Sequence, residues 1–124
     1  EDVLPTLQSI KRLGISTGII SNMNQDLSSI INDLGISAYI DCIATSGMAG
    51  AAKPDKALFQ YALDLLEALP EHCAHVGDDY KGDAMGALNA GIFPILLDRE
   101  NIIENPNPEI VLIRSLKELV TIFS

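Results

Sequence analysis

The length, composition and charge of the chain limit what it can be. With 124 residues, of which 48% are hydrophobic, it is long enough to bury one compact core, and we expect residues 1–124 to form one domain. The formal net charge of -9 argues against a nucleic-acid backbone or an anionic membrane surface as the main partner, because both would repel the chain.

No membrane span and no leader sequence are predicted. No apolar run approaches the roughly 18 residues that cross a bilayer, and no basic stretch followed by an apolar segment opens the chain. Cys42 and Cys73 lie in apolar surroundings typical of buried, reduced thiols. We therefore expect a cytoplasmic protein. The first residue is Glu1 rather than methionine, which indicates a fragment or a processed chain.

The first third of the chain predicts a helix, a strand and a second helix. Apolar residues recur at helical spacing over 2–13, a β-rich apolar run covers 15–20, and a further helical stripe covers 25–34. The strand runs into Ser21 and Asn22, so it ends in a hydroxyl and an amide.

The middle of the chain repeats this alternation. A second strand is predicted over 39–46, followed by a loop of small residues at 47–52. A helix then begins at Pro54 and reaches about Leu69. A third, short strand at 73–77 leads into an acidic stretch.

The last third predicts two helices and two strands. A helix covers 84–90, strands cover 92–97 and 110–113, and a polar loop covers 98–109. A capping box at 115–118 opens the last helix. Strands that alternate with helices predict an α/β fold in which helices cover both faces of a parallel sheet.

Three carboxylates stand within six residues at the end of the third strand. Asp78, Asp79 and Asp83 directly follow the apolar run that ends at Gly77. Carboxylates this close repel one another unless a cation or a proton relieves them, and Mg²⁺ prefers hard oxygen ligands of this kind. A solvated turn in which Asp83 caps the next helix is the structural alternative.

The polar candidates all follow predicted strands. Ser21 and Asn22 follow the first strand, Lys53 ends the loop after the second, and the aspartates follow the third. In parallel α/β sheets ligands bind beyond the carboxyl ends of the strands. A hydroxyl, an ammonium and a carboxylate-held cation together suit a phosphoryl group. Taken singly, Ser21 is also an ordinary turn residue and Lys53 an ordinary solvated lysine.

These segments resemble a known family. The stretches 19–22, 53–55 and 75–91 look like the second, third and fourth motifs of the haloacid dehalogenase-like (HAD) hydrolase superfamily, in its phosphatase-type branch. The resemblance implies a three-layer, Rossmann-like fold and a magnesium-dependent phosphatase that acts on a phosphorylated small molecule.

The resemblance also implies roles for the site residues. Ser21 would bind phosphoryl oxygens, Asn22 would help to position the site, and Lys53 would stabilise the transferring group as the catalytic residue. The implied metal ligands are Asp78, Asp83 and, as a secondary candidate, Asp79.

The first motif of the family is missing. Family members open with two aspartates separated by one residue at the end of the first strand, and no aspartate here is followed two positions later by another. The cap that normally follows this motif is also absent. We therefore expect the C-terminal portion of a longer hydrolase whose N-terminal piece was truncated, mispredicted or is supplied separately. Such a chain should be inactive alone because it lacks the nucleophile, and its Mg²⁺ site should be weak or incomplete.

The family's first strand would lie between the strands that end at Ser21 and Gly77. Without it, those two strands either pair directly or leave a gap for a segment outside this chain.

Two other classes of function remain open. A phosphorylation-receiver module also combines carboxylates, a hydroxyl and a lysine, but its acidic pair comes early and its lysine late, whereas here Lys53 precedes the acids. A non-catalytic HAD-like scaffold or binding protein is the second alternative. His72 and His75 are not expected to share a metal, because an odd separation places them on opposite faces of a strand.

Overall fold

Helices and strands alternate through the computed structural model, which describes residues 2–23, 27–104 and 107–123. The helices are α1 (Val3–Arg12), α2 (Ser28–Asp33), α3 (Ser46–Ala49), α4 (Lys56–Leu66), α5 (Gly86–Asn89) and α6 (Glu118–Phe123). The strands are β1 (Gly18–Ser21), β2 (Cys42–Thr45), β3 (Ala74–Gly77), β4 (Phe93–Leu97) and β5 (Val111–Ile113). Single 3₁₀ turns cover Ser37–Tyr39 and Pro70–His72, and a π-helical turn covers Tyr80–Met85. None of the helices in these described ranges is long and apolar enough to cross a bilayer.

The strands form two parallel sheets rather than one continuous sheet. β1 pairs with β2, and Ser21 lies in register with Thr45. β3 pairs with β4 and β4 with β5, and Gly77 lies in register with Leu96. Within the described part of the chain β1 and β3 do not pair, so the alternative in which these two strands pair directly is wrong.

Helices cover both faces of the strands, which confirms the predicted three-layer, Rossmann-like α/β fold. Alternate residues of β4 point to opposite layers, as the pleat of a strand requires. Ile95 packs with Ile10 of α1 and Leu119 of α6. Leu96 packs with Ala84 on the opposite face, the side on which α4 and α5 also pack.

Most of the predicted elements are present, but the predicted loop at 47–52 is wrong in its first half. Residues 46–49 form α3 instead. Thr45 caps this helix by accepting the Met48 N–H at 3.2 Å, and Gly50 ends it with a left-handed φ of 74°. A four-residue helix is stabilised mainly by its capping residues. It is too short to show the helical spacing of apolar residues by which a helix is predicted from the sequence.

α4 is shorter than the helix predicted to reach Leu69. It ends at Leu66 because Glu67 adopts a left-handed φ of 54°. Leu69 consequently lies beyond the helix and is exposed. Gln25 and Asp26, which open the predicted second helix, lie outside the described residues.

The helix after β3 begins with the π-helical turn, ahead of the predicted start at Ala84. Asp79 Oδ2 accepts the Gly82 N–H at 3.0 Å and caps this turn. The alternative in which Asp83 is the capping residue is therefore wrong, and the carboxylate of Asp83 is used elsewhere.

Asp2 joins the two ends of the described chain. Its buried carboxylate receives two hydrogen bonds from the Arg99 guanidinium, at 2.9 and 3.0 Å, and others from Ser115 Oγ at 3.1 Å and the Leu116 N–H at 2.9 Å. The hydrogen bonds from Arg99 hold the pKa of Asp2 well below its usual range, although burial opposes this shift. The predicted capping box is formed in part: Glu118 Oε2 accepts the Ser115 N–H at 3.1 Å, whereas Ser115 Oγ accepts the N–H of Lys117, at 3.2 Å, rather than that of Glu118.

Candidate functional site

A buried ion pair joins the loop before α4 to the turn after β3. Lys53 Nζ donates to Asp83 Oδ1 at 2.6 Å, and the two side chains are only 15% and 6% exposed. Thirty positions separate the two residues in the chain. The fold therefore brings together two of the residues that the motifs singled out.

His75 contacts the same carboxylate from the strand. Its Nε2 lies 2.9 Å from Asp83 Oδ1, and its ring meets Phe59 edge-on with centroids 5.0 Å apart. The Asp79 N–H donates to the second oxygen, Oδ2, at 3.2 Å. Both oxygens of Asp83 are thus engaged by groups of this chain.

These contacts keep the Asp83 carboxylate ionised. Burial alone would raise its pKa, but the hydrogen bonds from His75 and Lys53, together with their charges, hold the pKa of Asp83 well below its usual range. A permanently charged carboxylate in turn fixes the Lys53 ammonium at this point of the fold.

Gly77 allows the end of β3 to lie directly against Asp83. A Cβ atom at this position would stand 2.2 Å from Asp83 Cγ, a separation no side chain tolerates. The close approach explains why a glycine ends the strand, and it sets Asp83 beside the carboxyl end of β3.

Asn22 holds the backbone of Lys53. Its Oδ1 accepts the Lys53 N–H at 2.8 Å, and its Nδ2 donates to the Lys53 carbonyl at 3.3 Å. The residue that follows β1 therefore positions the lysine that pairs with Asp83. A continuous chain of contacts runs from β1 through Lys53 and Asp83 to β3.

The remaining predicted site residues are more exposed or have fewer side-chain contacts. Ser21 is the last residue of β1 and is half-buried, and its hydroxyl makes no hydrogen bond with the described residues. Asp78 is exposed and likewise free of hydrogen bonds within the described ranges. Asp79 is also exposed, but its carboxylate caps the π-helical turn.

The carboxylates fit a divalent cation only in part. Among the residues that the structure describes, no group of three His, Cys, Asp or Glu side chains is arranged to hold a metal ion. Asp83 has both oxygens in hydrogen bonds and Asp79 has one, which leaves Asp78 as the free carboxylate of the three. Mg²⁺ is usually held by one or two carboxylates together with substrate oxygens and water, so Asp78 is a partial site.

An open groove of about 670 Å³ lies between β1 and β3. Residues of both strands line it, together with residues of α1, α4 and α6. Lys53, Asp78 and Asp83 also line it, where the strands end. The ion pair therefore faces a space that a ligand or a further polypeptide segment could fill.

The chain matches a known family over most of its length. A family model described as haloacid dehalogenase-like hydrolase matches residues 1–91. The chain belongs to the haloacid dehalogenase-like hydrolase family, as the three motifs predicted.

Two curated relatives illustrate the match. Haloacid dehalogenase-like hydrolase domain-containing protein 3 of Homo sapiens is 37% identical over 92 residues, covering 74% of this chain and 37% of the relative. Glyceraldehyde 3-phosphate phosphatase of Methanothermobacter thermautotrophicus is 35% identical over 97 residues, covering 77% of this chain and 42% of the relative. The matched stretch thus spans about two-fifths of the length of these relatives.

A solved structure has the same fold. The HAD phosphatase from Thermococcus onnurineus superposes with a TM-score of 0.90 at 26% identity, covering 99% of this chain and 57% of that one. The backbone of this chain therefore superposes on a little over half of a longer protein.

Proposed function

We propose that this chain is the phosphoryl-binding half of a magnesium-dependent phosphatase that acts on a phosphorylated small molecule. The buried Lys53–Asp83 ion pair at the end of the groove is the observation that carries the proposal. Family membership supports a hydrolase, and the names of two relatives, a glyceraldehyde 3-phosphate phosphatase and a HAD phosphatase, favour phosphate esters.

Lys53 is the group best suited to bind the transferring phosphoryl group. An ammonium has three N–H donors, and one of them goes to Asp83. The other two are available for phosphoryl oxygens, whose negative charge the ammonium offsets. Ser21, at the end of the neighbouring strand, would add a hydroxyl donor.

Asn22, Asp83 and His75 act on the substrate through Lys53. Asn22 fixes the backbone of the lysine, Asp83 fixes its ammonium, and His75 fixes the carboxylate of Asp83. Positioning of this kind lowers the cost of ordering the lysine when the substrate binds.

Asp78 is the residue of this chain that would hold Mg²⁺, since its carboxylate is free and lines the groove. A bound Mg²⁺ would supply positive charge against the phosphoryl oxygens. Asp83 and Asp79 remain candidate ligands of second choice, because hydrogen bonds within the chain already use their oxygens. The other ligands would come from the substrate, from water and from a segment outside these residues.

The 124 residues alone are expected to bind but not to hydrolyse. The sequence contains no pair of aspartates separated by one residue, so the family's carboxylate nucleophile and its neighbouring general acid are both missing. Substrate choice is accordingly a property of the longer protein.

Thermal unfolding with inorganic phosphate and Mg²⁺, added singly and together, tests the proposal. A ligand that binds only the folded chain raises the midpoint of unfolding. We expect the largest rise with both ligands present, and no hydrolysis of p-nitrophenyl phosphate in a parallel assay. Absence of any rise contradicts phosphoryl binding, and robust turnover contradicts the need for a further segment.

A non-catalytic HAD-like binding protein is the second candidate, favoured by the missing nucleophile. The two candidates differ when the upstream part of a relative is restored. Fusing the portion of human haloacid dehalogenase-like hydrolase domain-containing protein 3 that precedes the matched stretch should give phosphatase activity if this chain retains a working half-site. A folded fusion that binds phosphate without turnover would favour the binding protein.

A cytoplasmic location is part of the proposal. Cys42 and Cys73 are free thiols, and burial raises the pKa of each, with Asp41 adding to the rise at Cys42. Thiols of this kind are typical of reducing compartments. Fractionation of cells that express the tagged protein would test the location.

A further inference from the structure

Three large apolar side chains are exposed at the amino end of the sheet, the end opposite to the buried ion pair. Leu65 is 46% exposed on α4, Leu69 is 54% exposed just beyond it, and Phe93 is 44% exposed as the first residue of β4. The Phe93 N–H donates to the Cys73 carbonyl at 3.0 Å, so β4 begins beside the turn that leads into β3. Single exposed apolar residues are ordinary, but three at one end of a domain form a candidate interaction surface.

The backbone that carries the two leucines is held in place. Glu67 ends α4 with a left-handed φ of 54°, and its N–H donates to the Asp64 carbonyl at 3.2 Å. The 3₁₀ turn that follows is closed by the His72 N–H, which donates to the Leu69 carbonyl at 3.0 Å. Ala68, between the leucines, packs against the core that α4 and α5 share. A surface that is ordered before binding loses little conformational entropy when a partner docks.

The segments that form this end of the domain are acidic. Neither residues 57–80 nor residues 82–98 contain a lysine or an arginine. Asp64, Glu67 and Glu71 are exposed and stand within two positions of one of the leucines. None of the three forms an ion pair with a residue that the structure describes. Their negative charge is therefore available to a cationic partner.

Three apolar and three acidic residues together make up what we call the amino-edge surface. These residues are Leu65, Leu69, Phe93, Asp64, Glu67 and Glu71. We propose that the amino-edge surface binds a basic amphipathic helix of another protein, whose apolar face covers the apolar side chains and whose lysines or arginines face the carboxylates. This binding is independent of the proposed function, because the phosphoryl-binding residues lie at the other end of the strands.

The hydrogen bonding of the backbone favours a helix over an added strand. Four N–H groups of this segment donate to carbonyl groups within residues 63–73, namely those of Glu67, Ala68, His72 and Cys73. An added strand needs unpaired backbone groups, so this surface offers its side chains instead. A helix satisfies its own backbone and presents apolar side chains along one face.

Charge disfavours two other occupants. A second copy docked through the same surface would bring two acidic surfaces together, with a net charge of -9 on each chain. An anionic membrane would be repelled in the same way. A basic partner is attracted instead, and this attraction also speeds association at low ionic strength.

A designed peptide tests the amino-edge surface. The probe is a fluorescein-labelled, amidated peptide of about 14 leucine and lysine residues, spaced so that the leucines share one face of a helix. The control peptide has the same residues in a scrambled order, which keeps the charge and spreads the leucines around the helix. Fluorescence anisotropy with the 124-residue chain should give saturable binding that is at least about tenfold tighter for the probe and that weakens as salt is added. Equal binding of both peptides overturns the proposal.

Matched variants locate the binding. Leu69→Ser and Leu34→Ser each remove an exposed leucine, but Leu34 follows α2, which packs with α1 on the other face of the sheet. Leu69→Ser should weaken probe binding by about fivefold or more, and Leu34→Ser by less than about twofold. Glu71→Lys and Glu100→Lys change the net charge equally at exposed positions, and only Glu71→Lys should weaken binding by about threefold or more. Equal effects within either pair overturn the proposed location.

Three further measurements decide between occupants. Light scattering should give the same oligomeric state for the wild type and for Leu69→Ser; a dimer that Leu69→Ser dissociates would make the occupant a second copy and overturn the proposal. Vesicles of phosphatidylcholine and phosphatidylserine should not bind the chain, and binding that Leu69→Ser abolishes would make the occupant a membrane and overturn it equally.

The third measurement uses the fusion with the upstream portion of human haloacid dehalogenase-like hydrolase domain-containing protein 3. The fusion should bind the probe as tightly as the chain alone. Loss of probe binding in the fusion would assign the amino-edge surface to contacts within the longer chain and overturn the proposal. Phosphate binding is measured separately, so failure of this surface and failure of the proposed function remain distinct.

Discussion

Asp2 and Asp83 are both buried aspartates with lowered pKa values, but their surroundings differ in kind. Arg99, Ser115 and Leu116 together donate four hydrogen bonds to the Asp2 carboxylate. Asp83 instead pairs with Lys53, which retains donors and lines the open groove. A lowered pKa therefore does not by itself mark a functional site. The two aspartates differ in whether the cation that pairs with the carboxylate also faces an open groove.

The largest expected effect is on stability and comes from Asp2→Asn. The change removes the charge from a carboxylate that accepts four hydrogen bonds, and hydrogen bonds to charged groups are worth about 1.5–3 kcal/mol each in favourable cases. We expect the free energy of unfolding in urea to fall by about 2–3 kcal/mol, with phosphate binding retained. The control is Asp64→Asn, since the exposed carboxylate of Asp64 accepts a single hydrogen bond from the described residues, from Gln60 Nε2 at 2.9 Å. A similar loss in both variants would contradict the structural role of Asp2.

The contact between Asp2 and Arg99 should also have a smaller effect, on how the stability of the chain depends on pH. The pKa of folded Asp2 lies below its ordinary value of 3.8, mainly because Arg99 stabilises the ionised form. The stability that Asp2 contributes is therefore present above about pH 4 and is lost as the pH falls below that value. Urea unfolding between about pH 5 and pH 2 should show a steeper loss in the wild type than in Asp2→Asn. Parallel curves would show that Asp2 is not a source of acid sensitivity.

Lys53→Met tests the Asp83 side of the comparison. Removing the ammonium should weaken phosphate binding by about tenfold, measured as the ligand concentration needed for a given rise in the unfolding midpoint. Some stability will also be lost, because the buried Asp83 carboxylate keeps only His75 and a backbone N–H. The matched control is Lys56→Met, an exposed lysine three positions along the chain. Phosphate binding unchanged in Lys53→Met would remove Lys53 from the site.

Asn22→Ala should give the smallest effect. The change removes two hydrogen bonds to the Lys53 backbone at an exposed position, so we expect a loss of about 0.5–1.5 kcal/mol in stability and a few-fold weaker phosphate binding. Asn89→Ala, at an exposed position in α5, is the control. A loss as large as that of Lys53→Met would mean that Asn22 contacts the ligand itself.

The meeting of Lys53 and Asp83 could be predicted from the sequence, because both follow strands and parallel strands end at one edge. The part played by His75 was missed. Its odd separation from His72 spoke against a shared metal, but the same alternation puts His75 and Gly77 on one face of β3, the face that meets Asp83. That signal was available in the sequence.

Other features depend on contacts that no local pattern records. The two hydrogen bonds between the Asn22 side chain and the Lys53 backbone form because the segments that contain these residues, distant in the sequence, lie side by side in the fold. The short helix α3 depends on a cap from Thr45, which the sequence places in a strand. The groove between β1 and β3 is lined by residues from three helices that are distant in the sequence, and the sequence left the separation of the two strands as one of two alternatives.

The hydrogen bonds that Asp2 accepts from Arg99, Ser115 and Leu116 have a consequence for engineering. They pin the start of α1 beside α6, and Val3, the next residue, lines the groove. Any segment joined through a flexible linker ahead of Asp2 would therefore begin close to the groove, and a short linker would keep it there at an effective concentration in the millimolar range. Intramolecular binding of this kind would fill the groove even where the same segment binds weakly as a separate molecule, and the length of the linker would set the fraction of molecules in which the groove is filled.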